Sequence, residues 1–155
     1  MLPRSSSVPL VAAMAAHDAT ASSGTSVRRC RVVVADDAAG MRALLATLLS
    51  IEPDFDVVGV ARDGAEAVDL VLREQPDLLV IDITMPVMSG TEAIRRIREA
   101  NPRVRVAVLS GERQPLPPGA DAILVKGTVN EELIAVLRRL CRAGSQHDAP
   151  PPADC

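Results

Sequence analysis

Five side chains could do chemistry together: the acidic pair Asp36–Asp37, then Asp82, Ser110 and Lys126. Each of these sites closes a short apolar run, in "RVVVAD", "DLLVID", "VRVAVLS" and "DAILVK". If the runs are parallel strands, their carboxyl ends deliver all five groups into one crevice. Three carboxylates crowded there would raise one another's pKa values unless a cation neutralised them. Lys126, the single lysine among 17 basic residues, supplies one positive charge. The remaining excess of two negative charges suits one divalent ion. Hard oxygen donors with no His or Cys beside them favour Mg²⁺ or Mn²⁺ over zinc. A carboxylate beside a metal, a lysine and a hydroxyl suits phosphoryl transfer, with Asp82 attacking phosphorus in line. In that arrangement Lys126 offsets charge on the equatorial oxygens and Ser110 donates a hydrogen bond to one of them.

The elements that must position these groups alternate along the chain. Strands are predicted at 31–36, 55–61, 77–82, 104–110 and 121–126, all rich in Val, Ile and Leu, as strands buried on both faces should be. Met41, Leu44, Leu45, Leu48 and Leu49 recur at helical spacing. A second helix starts at "DGAE" (63–66) and stops before Gln75–Pro76. A third opens with the capping-box pattern "SGTE" (89–92) and ends at Asn101–Pro102. The last opens at "TVNE" (128–131) and presents Leu133, Ile134, Val136, Leu137, Leu140 and Cys141. This alternation predicts an α/β fold: a doubly wound parallel sheet with helices on both faces. The exception is "SGERQPLPPG" (110–119), whose Pro115, Pro117 and Pro118 forbid a regular helix, so this crossover is expected to be a loop.

With 155 residues, 48% of them hydrophobic, the chain suits one core. The expected organisation is a disordered N-terminal extension over 1–28, a folded domain over 29–143 and a disordered tail over 144–155. The early run "VPLVAAMAA" is too short and too rich in Ala to be taken as a signal-peptide core. A net charge of −3 gives no basic footprint for nucleic acid, and no apolar run approaches the ~20 residues needed to span a bilayer. Nucleic-acid binding through this chain alone and membrane insertion are therefore not expected. Cys30, Cys141 and Cys155 are odd in number, far apart and without CxxC spacing, which reads as reduced cytoplasmic thiols. His17 and His147 fall in the tails, and Met85 and Met88 read as loop packing.

From Cys30 to Arg142 the chain resembles the receiver domain of two-component response regulators. The resemblance rests on "ADD" (35–37), "DITMPVMSG" (82–90), "LSG" (109–111) and "LVKG" (124–127), in order and in register. The opening "RVVVADDAAGMRALLATLL" and the Lys-Gly pair look most like receivers that precede a helix-turn-helix domain. The resemblance implies a flavodoxin-like (CheY-like) fold with strand order 2-1-3-4-5. It further implies Asp82 as phosphoacceptor and Asp36, Asp37, Asp82 and the backbone carbonyl of Thr84 as ligands for Mg²⁺. Ser110 becomes the switch hydroxyl and Lys126 the phosphate-facing lysine. The implied partners are a sensor histidine kinase or phosphotransfer protein upstream and an unidentified protein downstream, with a homodimer also compatible. The protein would be a signalling phosphoacceptor in the cytoplasm and not an enzyme acting on a separate substrate.

Two departures from the family pattern concern the readout of phosphorylation. The position three residues before the lysine, usually Tyr or Phe, is Ile123, and a full fourth helix is replaced by the Pro-rich loop. Only 13 residues follow Arg142, too few for a helix-turn-helix module, so a receiver without an attached output is expected. A degenerate receiver serving as a phosphate-independent binding scaffold is the alternative. A haloacid dehalogenase-type phosphatase is disfavoured because its second catalytic Asp would stand where Thr84 does.

Overall fold

The computed structural model describes residues 28–145. Five strands, β1 (Cys30–Ala35), β2 (Phe55–Ala61), β3 (Leu78–Asp82), β4 (Arg105–Ser110) and β5 (Ala122–Val125), form one sheet in the order β2-β1-β3-β4-β5. Every neighbouring pair is parallel. The helices are α1 (Ala39–Ser50), α2 (Gly64–Glu74), α3 (Gly90–Ala100) and α4 (Asn130–Ser145). The expected sheet order and the helix-free connection between β4 and β5 are both present. The extension and tail expected at 1–28 and 144–155 lie outside the described residues except at their inner ends. There, helix α4 runs two residues past the expected boundary, through Gly144 and Ser145.

Side chains alternate across a strand with period two, and this divides the core into two halves. Val33, Ala35, Leu79, Ile81, Val106 and Val108 face α2 and α3, where they meet Leu70, Val71, Ile94 and Ile97. Val32, Val34, Leu78, Val80, Ala107 and Leu109 face α1 and α4, where they meet Leu45, Leu49, Leu133 and Leu137. The central strand β3 is buried throughout, which is why its sequence shows no polar alternation before Asp82.

Two acids read as strand residues act as strand-end caps. Asp77 precedes β3, and its carboxylate accepts from the Arg31 amide at 2.9 Å. Asp121 precedes β5 and accepts from the Val106 amide at 2.8 Å while pairing with Arg98. Each satisfies an amide at the sheet end opposite the functional crevice.

The reading of Cys30 and Cys141 as reduced thiols is overturned: the two form a disulfide, with Cα atoms 6.0 Å apart across 111 residues of sequence. The reason is topological. The last helix runs back against the strands, so its final turn lies beside the start of β1, a proximity that local cysteine spacing does not reveal.

Candidate functional site

The strand ends converge as expected. Asp36 follows β1 and is fully buried, Asp82 is the last residue of β3 and 3% exposed, Ser110 is the last residue of β4, and Lys126 follows β5. The Lys126 amide donates to the Ser110 carbonyl at 2.7 Å, locking the ends of β4 and β5 in register. From there the Lys126 ammonium reaches Asp36 Oδ2 at 3.0 Å and Asp82 Oδ2 at 3.1 Å. Asp37 points outward, yet carboxylate oxygens of Asp36, Asp37 and Asp82 all lie within 4.8 Å of one another.

Neither member of the acidic pair caps α1. Ala38 holds the N-cap position with no side-chain bond, while Asp36 Oδ1 accepts from the Ala38 amide at 2.9 Å, just before the helix. This leaves Asp36 Oδ2 facing the crevice. It sits beside the ammonium, but the approach completes no hydrogen bond. A buried carboxylate oxygen in that state, with two further carboxylates in reach, fits a hard divalent cation. Arg42, which the sequence reading did not single out, donates from Nη1 to the carbonyls of Asp36 (2.8 Å) and Asp37 (3.1 Å) and fixes the backbone of the pair.

The loop after Asp82 is held by close backbone approach at two glycines. The Gly90 amide donates to the Ile83 carbonyl at 2.9 Å, and the Gly64 amide to the Met88 carbonyl at 3.1 Å. A Cβ at Gly90 would overlap the Asp82 carbonyl, and one at Gly64 would overlap that of Met88. Between them the Thr84 amide donates to Asp82 Oδ1 at 3.2 Å, and Met85 is buried. Ser89 caps α3 by accepting from the Glu92 amide, as its sequence pattern predicts. Val87, 85% exposed, adopts φ +66°, a left-handed conformation costly for a β-branched residue.

Burial pushes the Asp82 carboxyl above its ordinary value, against the pull of Lys126 and the Thr84 amide. Burial works against the Lys126 charge too, but the Asp36 and Asp82 carboxylates beside it outweigh burial and hold the ammonium above its usual value. The crevice is therefore poised between one cation and an excess of carboxylate.

Ser110 is buried, and its hydroxyl is engaged within its own loop, donating to the Glu112 carbonyl at 2.7 Å and accepting from Gln114 Nε2 at 2.5 Å. Gln114 carries no signal in the sequence, because its contact depends on how a loop folds back. Ile123 is partly buried against the α2/α3 half of the core. Among the described residues, no helix is long and apolar enough to cross a membrane.

Comparison with known proteins agrees with this geometry. The family model for the response regulator receiver domain matches residues 32–138. A protein-glutamate methylesterase/protein-glutamine glutaminase of Geobacter metallireducens is 46% identical over 81 residues, 52% of this chain but only 23% of that protein. This chain thus spans about a quarter of such relatives. The signal receiver domain of a NarL response regulator from Mycobacterium tuberculosis superposes with a TM-score of 0.70 at 30% identity, covering 74% of this chain and 98% of that one. The CheX-CheY-BeF3-Mg²⁺ complex from Borrelia burgdorferi matches with a TM-score of 0.67 at 25% identity, covering 72% and 88%. With its family match over most of the described residues and its acids and lysine gathered at the strand ends, the chain belongs to the response regulator receiver domains.

Proposed function

We propose that this receiver accepts a phosphoryl group on Asp82 from a phosphohistidine of a sensor kinase or phosphotransfer protein, and signals by phosphorylation-dependent binding of a separate protein. The observation that carries the reading is the convergence of Asp36, Asp37 and Asp82 within 4.8 Å, with Lys126 bridging Asp36 and Asp82. A carboxylate oxygen of Asp82 attacks phosphorus, the P–N bond breaks, and the imidazole leaves and takes up a proton. Asp36, Asp37, Asp82 and the Thr84 carbonyl would hold Mg²⁺ or Mn²⁺, which when bound neutralises charge on the phosphoryl oxygens. Lys126 screens the acceptor and meets a phosphoryl oxygen as a point charge, and the Thr84 amide orients Asp82 through Oδ1. Ser110 donates to a phosphoryl oxygen after leaving its loop partner. The related complex with BeF3 and Mg²⁺ is consistent with this assignment.

Incubation with Mg²⁺ and a small acyl phosphate tests the reading by intact mass. One added phosphoryl group is expected on the wild type and none on Asp82→Asn. A folded wild type without the adduct refutes it. A second reading, a binding scaffold independent of phosphate, draws on the engaged Ser110 hydroxyl and on Ile123. It predicts partner affinity unchanged by BeF₃⁻.

A further inference from the structure

The Ser110 hydroxyl has no capacity to spare. It gives its single proton to the Glu112 carbonyl at 2.7 Å and accepts from the Glu112 amide at 3.3 Å and Gln114 Nε2 at 2.5 Å. A hydroxyl has one donor and two acceptor sites, so all are filled. The bond from the Lys126 amide to the Ser110 carbonyl fixes the strand end, which leaves side-chain rotation as the way for Ser110 to reach a new partner. Gln114 lies in the helix-free loop between β4 and β5. That loop is anchored at its far end by buried Pro117, whose carbonyl accepts from the Ala120 amide at 3.1 Å. Ile123, on the neighbouring strand, is aliphatic and offers no side-chain hydrogen bond.

We infer that Gln114 is a positioning residue that latches the loop at 111–120 to Ser110 and so sets how readily that hydroxyl is released to a phosphoryl group on Asp82. The inference rests on the phosphoacceptor reading above and adds a readout to it. When the Ser110 proton turns from the Glu112 carbonyl to a phosphoryl oxygen, its lone pairs turn as well and Gln114 loses its acceptor. The Pro-rich loop is then freed at its Ser110 end while Pro117 still holds the other. Movement of this loop, and not rotation of an aromatic side chain, carries the state of Asp82 to the surface.

The test uses the full chain with Mg²⁺ and BeF₃⁻, with binding followed by calorimetry and amide exchange read over 111–120. Gln114→Ala removes one resting-state hydrogen bond and is expected to tighten BeF₃⁻ binding about fivefold, the weight of one net intramolecular bond. Mg²⁺ affinity without BeF₃⁻ is expected to stay unchanged. In wild type the loop amides are expected to exchange faster once BeF₃⁻ binds, and in Gln114→Ala to exchange fast from the outset. Ser110→Ala removes the acceptor, so adding Gln114→Ala to it is expected to change nothing further. Equal BeF₃⁻ affinity and equal loop exchange in wild type and Gln114→Ala would overturn the latch while leaving Asp82 as acceptor. Failure of wild type to bind BeF₃⁻ would overturn both.

Discussion

Asp82→Asn is expected to make the metal-free protein more stable, although it removes one partner of an ion pair. At an effective dielectric near 20, the Lys126 contact at 3.1 Å favours the Asp82 charge by about 5 kcal/mol. Asp36, within 4.8 Å, opposes it by at least about 3.5 kcal/mol. Asp37, which is exposed, adds at least about 1 kcal/mol even where water screens it fully. These contributions nearly cancel, so burial of a carboxylate left 3% exposed decides the sign. That agrees with the upward direction of its pKa. A gain on the order of 1 kcal/mol, the usual size for a single substitution, is expected for the amide at neutral pH. Because the folded carboxyl titrates above the ordinary 3.8, the folded state holds the extra proton between those two values. Wild-type stability therefore falls as pH rises through that window, and the advantage of Asp82→Asn shrinks as pH drops through it. Urea unfolding followed by far-UV circular dichroism in EDTA measures both effects, and added Mg²⁺ is expected to stabilise wild type more than the variant. Lower stability of Asp82→Asn in EDTA at neutral pH would refute the reasoning.

Three further perturbations test the scaffold. Gly90→Ala places a methyl group against the Asp82 carbonyl and the Ile83 backbone, and is expected to cost about 1–3 kcal/mol and to reduce labelling by acyl phosphate, both read on one preparation. Val87→Gly relieves a left-handed β-branched residue that is almost fully exposed, and is expected to add about 0.5–1 kcal/mol in urea unfolding, with acyl phosphate labelling retained. Cys30→Ser with Cys141→Ser opens a loop of 111 residues and is expected to cost up to about 5 kcal/mol. Reductant should destabilise wild type comparably and leave the double variant unchanged, and alkylation of unreduced, unfolded wild type should reach one cysteine of three.

Legibility in the sequence followed the range of each signal. Val32, Val34, Leu78 and Val80 announce buried strands because burial on both faces demands continuous apolar runs. Asp82, Ser110 and Lys126 are legible because a parallel sheet presents its strand ends together, and Ser89 because a cap acts within one helical turn. Asp77 and Asp121 look like strand residues until the neighbouring strand shows which amide each accepts. Cys30–Cys141 and Gln114–Ser110 depend on a long return of the chain and on a folded loop, and neither leaves a pattern in residue spacing. Arg42 falls between these cases, since an arginine one turn into a helix reads as solvated until the carbonyls of Asp36 and Asp37 are placed beneath it.

Lys126 gives the protein an unusual chemical simplicity. It is the only ε-amine in the sequence, so acylating and cross-linking reagents that seek such amines have one side-chain target, set in the crevice itself. Clamped between two carboxylates, its ammonium holds its proton and is a poor nucleophile. The rate at which such a reagent modifies Lys126 therefore reports how the crevice is occupied, without an introduced label. An acylating reagent that does succeed there also removes the positive charge shared by Asp36 and Asp82.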